Sequence, residues 1–164
     1  MGAVEVVVRH PGGRRLAPGC RSLLKRLRRA LRCGRAGVVL LLDSDVAIRR
    51  LNRAFRGRDR TTDVLSFPAG GAPVPGEEFL GEIAISVPRA ARQARRAGWG
   101  LREEAALLVV HGFLHLLHYD HERDDGTMRR LEEDLLKHAA GIALDRRRLP
   151  WGEARPARRG ARGA

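Results

Sequence analysis

The apolar residues of this chain fall into short blocks, and their spacing changes from block to block. Val4-Glu5-Val6-Val7-Val8 is β-branched and reads as a strand. Pro11 to Gly19 is rich in Gly and Pro and reads as a turn region. From Arg21 to Arg35, Leu23, Leu24, Leu27 and Leu31 recur at helical spacing, while Arg21, Lys25, Arg28, Arg29 and Arg32 occupy the other face. Val38 to Leu42 is a continuous apolar run, the pattern of a buried strand. Ser44 or Asp43 can cap a helix running to about Phe55, with Ala47, Leu51, Ala54 and Phe55 turned inward. Thr62 to Phe67 and Phe79 to Val87 read as two further strands, joined by a Pro- and Gly-rich loop over Pro68 to Glu78. Pro88 suits the first turn of a helix that ends near Gly98. Glu103 to Leu117 is an almost wholly apolar helix, and Thr127 to Ala140 is amphipathic through Met128, Leu131, Leu135 and Leu136. The order β-α-β-α-β-β-α-α-α predicts a single α+β (α/β-like) domain over residues 1–148, a mixed four-stranded sheet packed with about five helices. Residues 149–164, Arg-rich and without apolar periodicity, read as a disordered tail.

Composition narrows the partners. The 164 residues suit one domain, and 43% hydrophobic residues supply a core. No apolar run approaches the roughly 18 residues of a membrane span. The N-terminus lacks the apolar stretch of a secretory signal, and two cysteines, Cys20 and Cys33, are too few for a disulfide framework. These features predict a cytoplasmic protein with no membrane partner. A net charge of +13 favours polyanions such as RNA. All but two of the 32 basic residues are arginine, however, which a GC-rich coding sequence also produces. The basic face of Arg21 to Arg35 fits phosphate contact and a plain solvated face equally well.

The chemistry concentrates in His111-Gly-Phe-Leu-His115-Leu-Leu-His118-Tyr119-Asp120-His121. His111 and His115 are four residues apart on one helix face, about 5–6 Å between Cβ atoms, so both imidazoles can meet one ion. A third nitrogen comes from His121, if the chain turns back after the helix, or from His118, which follows His115 by three residues. Three neutral imidazoles leave a fourth tetrahedral position open, the arrangement of a catalytic rather than a structural Zn²⁺ site. Scattered histidines on so apolar a helix would be costly without partners. Gly112 stands where zinc proteases carry a glutamate base, which argues against peptide hydrolysis by that route.

His-Gly-x-Leu-His-Leu-x-x-Tyr-Asp-His resembles the zinc signature of the YbeY family of bacterial endoribonucleases. Two further blocks resemble it in the right order: Leu51-Asn52-Arg53-Ala54-Phe55-Arg56-Gly57 with Thr62-Asp63-Val64-Leu65-Ser66-Phe67-Pro68, and Leu80-Gly81-Glu82-Ile83-Ala84-Ile85-Ser86. Glu104, seven residues before His111, also fits, and the resemblance spans about residues 38–140. It implies His111, His115 and His121 as ligands of one zinc ion and Arg56 as the arginine of the cleft. It further implies single-stranded RNA as substrate, rRNA maturation at the 16S 3′ end with ribosome quality control as the setting, and the ribosome or its subunits as partner. A guanidinium suits such a cleft because it can hold two phosphoryl oxygens as charge builds on them. Asn52 and Ser66 are candidate substrate contacts, and Asp63 and Asp120 candidate supporting carboxylates; turn and capping roles compete for all four. His118 departs from the family, which usually has Gly there; histidine tolerates the left-handed backbone better than most residues. Glu82 replaces the commoner Asp, and Thr61 the commoner Pro. Two rival readings remain: a metal hydrolase of peptides or small esters, and a ribosome-associated module whose metal is structural, which a fourth ligand from His118 would favour.

Overall fold

The structure is a computed structural model that describes residues 2–70 and 79–143; the tail expected over 149–164 and most of the loop before Phe79 lie outside them. Four strands, β1 (Val4–Val8), β2 (Gly37–Asp43), β3 (Val64–Pro68) and β4 (Phe79–Ser86), form one sheet in the order β1-β2-β4-β3. β1 and β4 run parallel to β2, with Val4 opposite Val38 and Leu40 opposite Ile83. β3 joins the edge antiparallel to β4, with Leu65 opposite Ala84. The expected mixed four-stranded α+β domain is therefore present.

Among the described residues five α-helices cover the sheet: α1 (Ala17–Ala30), α2 (Asp45–Arg56), α3 (Val87–Ala97), α4 (Leu101–Leu116) and α5 (Thr127–His138). A short 3₁₀ turn over Pro11–Gly13 precedes α1. α1 starts earlier than its leucine spacing suggests, because Pro18 sits in its first turn, where a missing N–H costs nothing. It stops at Ala30, and Arg32 takes a left-handed φ of 55° just beyond.

α4 lies at the centre. Ala105, Leu107 to Val110, Phe113 and Leu114 are all buried, packed among α1, α3, α5 and the face of the sheet that carries Leu40, Leu42, Ile83 and Ile85. A helix apolar on every side has this fate. α2 covers the opposite face through a smaller cluster of Ile48, Leu65 and Ala84. Ser44 caps it by accepting from the Ala47 N–H at 3.2 Å. Asp45 ties its first turn to the rest of the fold, accepting from Ser86 Oγ and, at 2.7 Å, from Arg92 Nη2.

The inward face of α2 differs from expectation. Ile48 and Asn52 are buried, Ala54 is exposed, and Phe55 is 69% exposed. Phe55 does share the stripe of Ile48 and Leu51, at seven and four residues' distance. It comes at the last turn, where the helix reaches edge strand β3, and among the described residues no further strand lies beyond it.

Two glycines set how closely α4 approaches the sheet. A Cβ on Gly112 would stand 2.8 Å from Ile83 Cγ2 and 3.2 Å from Ser66 Oγ. Gly81 has φ 136°, and its Cβ would lie 2.3 Å from the Phe67 carbonyl and 2.9 Å from Leu116 Cδ2. Neither position admits a side chain.

Candidate metal centre

α4 ends in a turn that decides where His121 goes. His118 has φ 66°, the left-handed conformation. Its N–H donates to the His115 carbonyl at 3.0 Å, and the Tyr119 N–H donates to the Leu114 carbonyl at 3.1 Å. These two bonds make a Schellman turn, which satisfies the last carbonyls of the helix and reverses the chain. Asp120 stabilises the next turn, accepting from the Glu122 N–H at 3.0 Å and pairing with Arg123 at 3.4 Å.

The reversal brings three imidazoles together. Ring centroids lie 4.5 Å apart for His111 and His115, 5.7 Å for His111 and His121, and 5.9 Å for His115 and His121. One nitrogen from each falls within 4.8 Å of the other two, so the group can hold a metal ion. The Nε2 atoms of His111 and His115 are 3.0 Å apart. Two nitrogens on a tetrahedral ion with bonds of about 2.0–2.1 Å stand roughly 3.3 Å apart, so the pair fits with little movement. His118 is exposed and is not part of this group.

Protonation suits ligation. Burial, reinforced by the neighbouring His111 and His121, pushes His115 down to about 4, so at neutral pH it offers a lone pair. Asp120 and a backbone hydrogen bond to Tyr119 act more weakly in the opposite sense. The far side of His111 is held by a residue the sequence reading missed. Glu132 of α5 is buried, and its Oε1 stands 2.5 Å from His111 Nδ1. A carboxylate there fixes the Nδ1–H tautomer and turns Nε2 toward the other two imidazoles, where an ion would sit. The signal was available: Glu132 lies four residues from both Met128 and Leu136, on the apolar face of α5, where an unpartnered carboxylate would be costly.

Strand β3 links the histidines to Arg56. Ser66 Oγ donates to the Gly112 carbonyl at 3.1 Å, one residue from His111. On the same strand the Ser66 carbonyl accepts from Arg56 Nη2 at 2.6 Å, and the Arg56 guanidinium lies 5.8 Å from the Phe67 ring centre. Arg56 itself is exposed. Asn52 is buried, and its Nδ2 donates to the Arg60 carbonyl at 2.8 Å, which anchors the loop after α2. Asp63 caps the start of β3 by accepting from the Val64 N–H at 2.8 Å, and also accepts from Gln93 Nε2 at 3.2 Å. Glu104 is fully buried two turns before His111, with Oε2 accepting from Trp99 Nε1 at 2.6 Å.

The sequence model of the endoribonuclease YbeY family matches residues 15–140. The chain belongs to the YbeY family. It is 46% identical over 116 residues to the endoribonuclease YbeY of Solibacter usitatus, covering 71% of this chain and 74% of that one. The Moorella thermoacetica endoribonuclease YbeY is 48% identical over 124 residues, covering 69% and 77%. That of Myxococcus xanthus is 50% identical over 108 residues, but the chain spans only 37% of that relative's length. Among solved structures, the solution structure of TM1509 from Thermotoga maritima superposes with a TM-score of 0.61 at 28% identity, covering 95% of this chain and 99% of that one. The YbeY match takes in α1 through α5, and with them every candidate residue described above.

Proposed function

We propose that this protein is a zinc-dependent endoribonuclease that cuts single-stranded RNA, with the 16S rRNA 3′ end as its target and ribosomal subunits as the setting in which it acts. Membership of the YbeY endoribonucleases supports the reaction class. The observation that carries the metal dependence is the convergence of His111, His115 and His121 with Glu132 behind His111.

An all-imidazole donor set suits zinc and leaves room for a non-protein ligand. Zinc, when bound, supplies Lewis acidity toward water and toward a phosphoryl oxygen. The protein's own contribution is positional. Glu132 holds His111 in one tautomer, and the backbone of Tyr119 holds His115. Arg56 offers its remaining donors to the scissile phosphate while Nη2 stays on the Ser66 carbonyl, so the guanidinium meets the developing charge already oriented. Asn52 and Ser66 act beneath this surface: one holds the 57–60 loop, the other ties β3 to α4. The closed space at Gly112 leaves no room for a protease-type glutamate, which favours RNA over peptide hydrolysis.

The test is cleavage of a single-stranded RNA and of the same sequence as a duplex, before and after chelation and on return of zinc. Cutting of the single strand alone, lost with chelator and restored by zinc, is expected, and Arg56→Ala should lower it about 100-fold or more. Cleavage indifferent to both chelator and Arg56→Ala would reject the reading. A 2′,3′-cyclic phosphate on the product identifies the RNA 2′-hydroxyl as nucleophile; a 3′-hydroxyl facing a 5′-phosphate identifies water.

A further inference from the structure

The stretch from residue 46 to 62 holds six arginines, Arg49, Arg50, Arg53, Arg56, Arg58 and Arg60, all exposed, against one acid, Asp59. Asp59 pairs with Arg49 at 2.8 Å. Amid these guanidiniums stands Phe55, more exposed than any other large apolar side chain among the described residues. Its ring is not loose: it meets Phe67 edge-on, centroids 5.4 Å apart at 61°. Arg56 sits over that same Phe67 ring. The contacts then run inward through Ser66 to Gly112, beside His111.

A cationic track with a fixed aromatic face is how proteins hold single-stranded nucleic acid: arginines follow the phosphates, and a base stacks on the ring. We infer that the exposed side of α2 and the 57–60 loop is the RNA-binding surface, and that Phe55 stacks one nucleobase beside the scissile phosphate, a contact that selects an unpaired base over a duplex. This rests on the endoribonuclease reading above. It also chooses between two basic helices. α1 packs on β1, at the opposite edge of the sheet from β3 and roughly 14 Å away across three strand spacings, and on α4, where its first turns line a pocket with Arg102, Ala105 and Ala106, ahead of His111. One of its arginines, Arg28, is already engaged with the carbonyls of Gly2 and Ala36 at 3.1 Å. α2 instead ends at β3, the strand bonded to α4 next to His111.

The experiment measures binding of a fluorescent single-stranded RNA to the full chain by anisotropy, for wild type, Phe55→Ala and Phe55→Trp. A set of RNAs carrying one abasic nucleotide at successive positions is run in parallel. Phe55→Ala should weaken binding of intact RNA about tenfold, raising KM more than it lowers kcat, while Phe55→Trp keeps affinity and its fluorescence is quenched on binding. At one position the abasic RNA should bind wild type and Phe55→Ala alike. The inference is overturned if Phe55→Ala binds intact RNA as wild type does, or if it weakens every abasic RNA by the same factor. Failure of wild type to bind or cut any RNA is a different result: it removes the endoribonuclease reading itself.

Discussion

Glu132 on α5 and His111 on α4 meet at 2.5 Å through Oε1 and Nδ1, so the helix that follows the histidine turn fixes the first histidine of the cluster. Both groups are largely withdrawn from solvent. Carboxylates placed behind metal-bound histidines typically contribute 10–100-fold in metal affinity. Glu132→Ala should weaken zinc binding by about that factor in a chelator competition. Glu132→Gln retains an acceptor oxygen and should lose less. Equal affinity for wild type and Glu132→Ala would show that the contact does not support the site.

His118 gives a prediction of opposite sign. A non-glycine residue in the left-handed region costs about 1–2 kcal/mol, partly offset in a glycine variant by the greater entropy of its unfolded chain. His118→Gly should therefore stabilise the protein by about 0.5–1 kcal/mol in chemical denaturation, with its metal content unchanged. A destabilised or metal-depleted His118→Gly would mean that the imidazole does more than end the helix.

Gly112 is predicted to be intolerant. A methyl group there meets Ile83 at 2.8 Å, in a buried contact between helix and sheet. Gly112→Ala should destabilise the fold by about 1–3 kcal/mol, the usual cost of overpacking. An unchanged denaturation midpoint would show that α4 can move off the sheet.

Glu104 supplies the pH dependence. Burial raises its pKa above the ordinary 4.5, Asp63 adds to the effect, and the Trp99 hydrogen bond opposes it. Between the unfolded value and the raised folded one, the folded protein therefore binds more of this proton than the unfolded chain does. As pH rises from about the unfolded value through the raised folded one, the contribution of Glu104 to stability falls. Glu104→Gln keeps an acceptor for Trp99 and has no proton to lose. Thermal unfolding at several pH values should show wild type losing ground to Glu104→Gln as pH rises. A constant gap between the two would refute the upward shift of the buried carboxyl.

Much of this was legible in the sequence because the signals were local. β-branched and continuous apolar runs placed the four strands and apolar spacing placed the five α-helices, although α1, expected over Arg21–Arg35, spans Ala17–Ala30, and Pro11–Gly13, read as a turn, is a 3₁₀ helix. The spacing of His111 and His115 gave two ligands and left His118 or His121 as the third; the family resemblance implied His121, which is the one that joins them, and His118 took the left-handed backbone that its glycine-like position required. What escaped depended on tertiary context. Periodicity gives the stripe of α2 but not where the sheet beneath it stops, so Phe55 was taken for core. Glu132 was passed over because its partner lies 21 residues away on another helix. The reason for Gly112, closeness to Ile83, exists only once α4 is laid on the sheet.

The most direct test of the central claim is the metal content of purified wild type, His121→Ala and His118→Ala by elemental analysis. The three-histidine site predicts about one zinc per chain in wild type and in His118→Ala, and almost none in His121→Ala. Loss of zinc from His118→Ala with retention in His121→Ala, or a wild type that binds none, would contradict it.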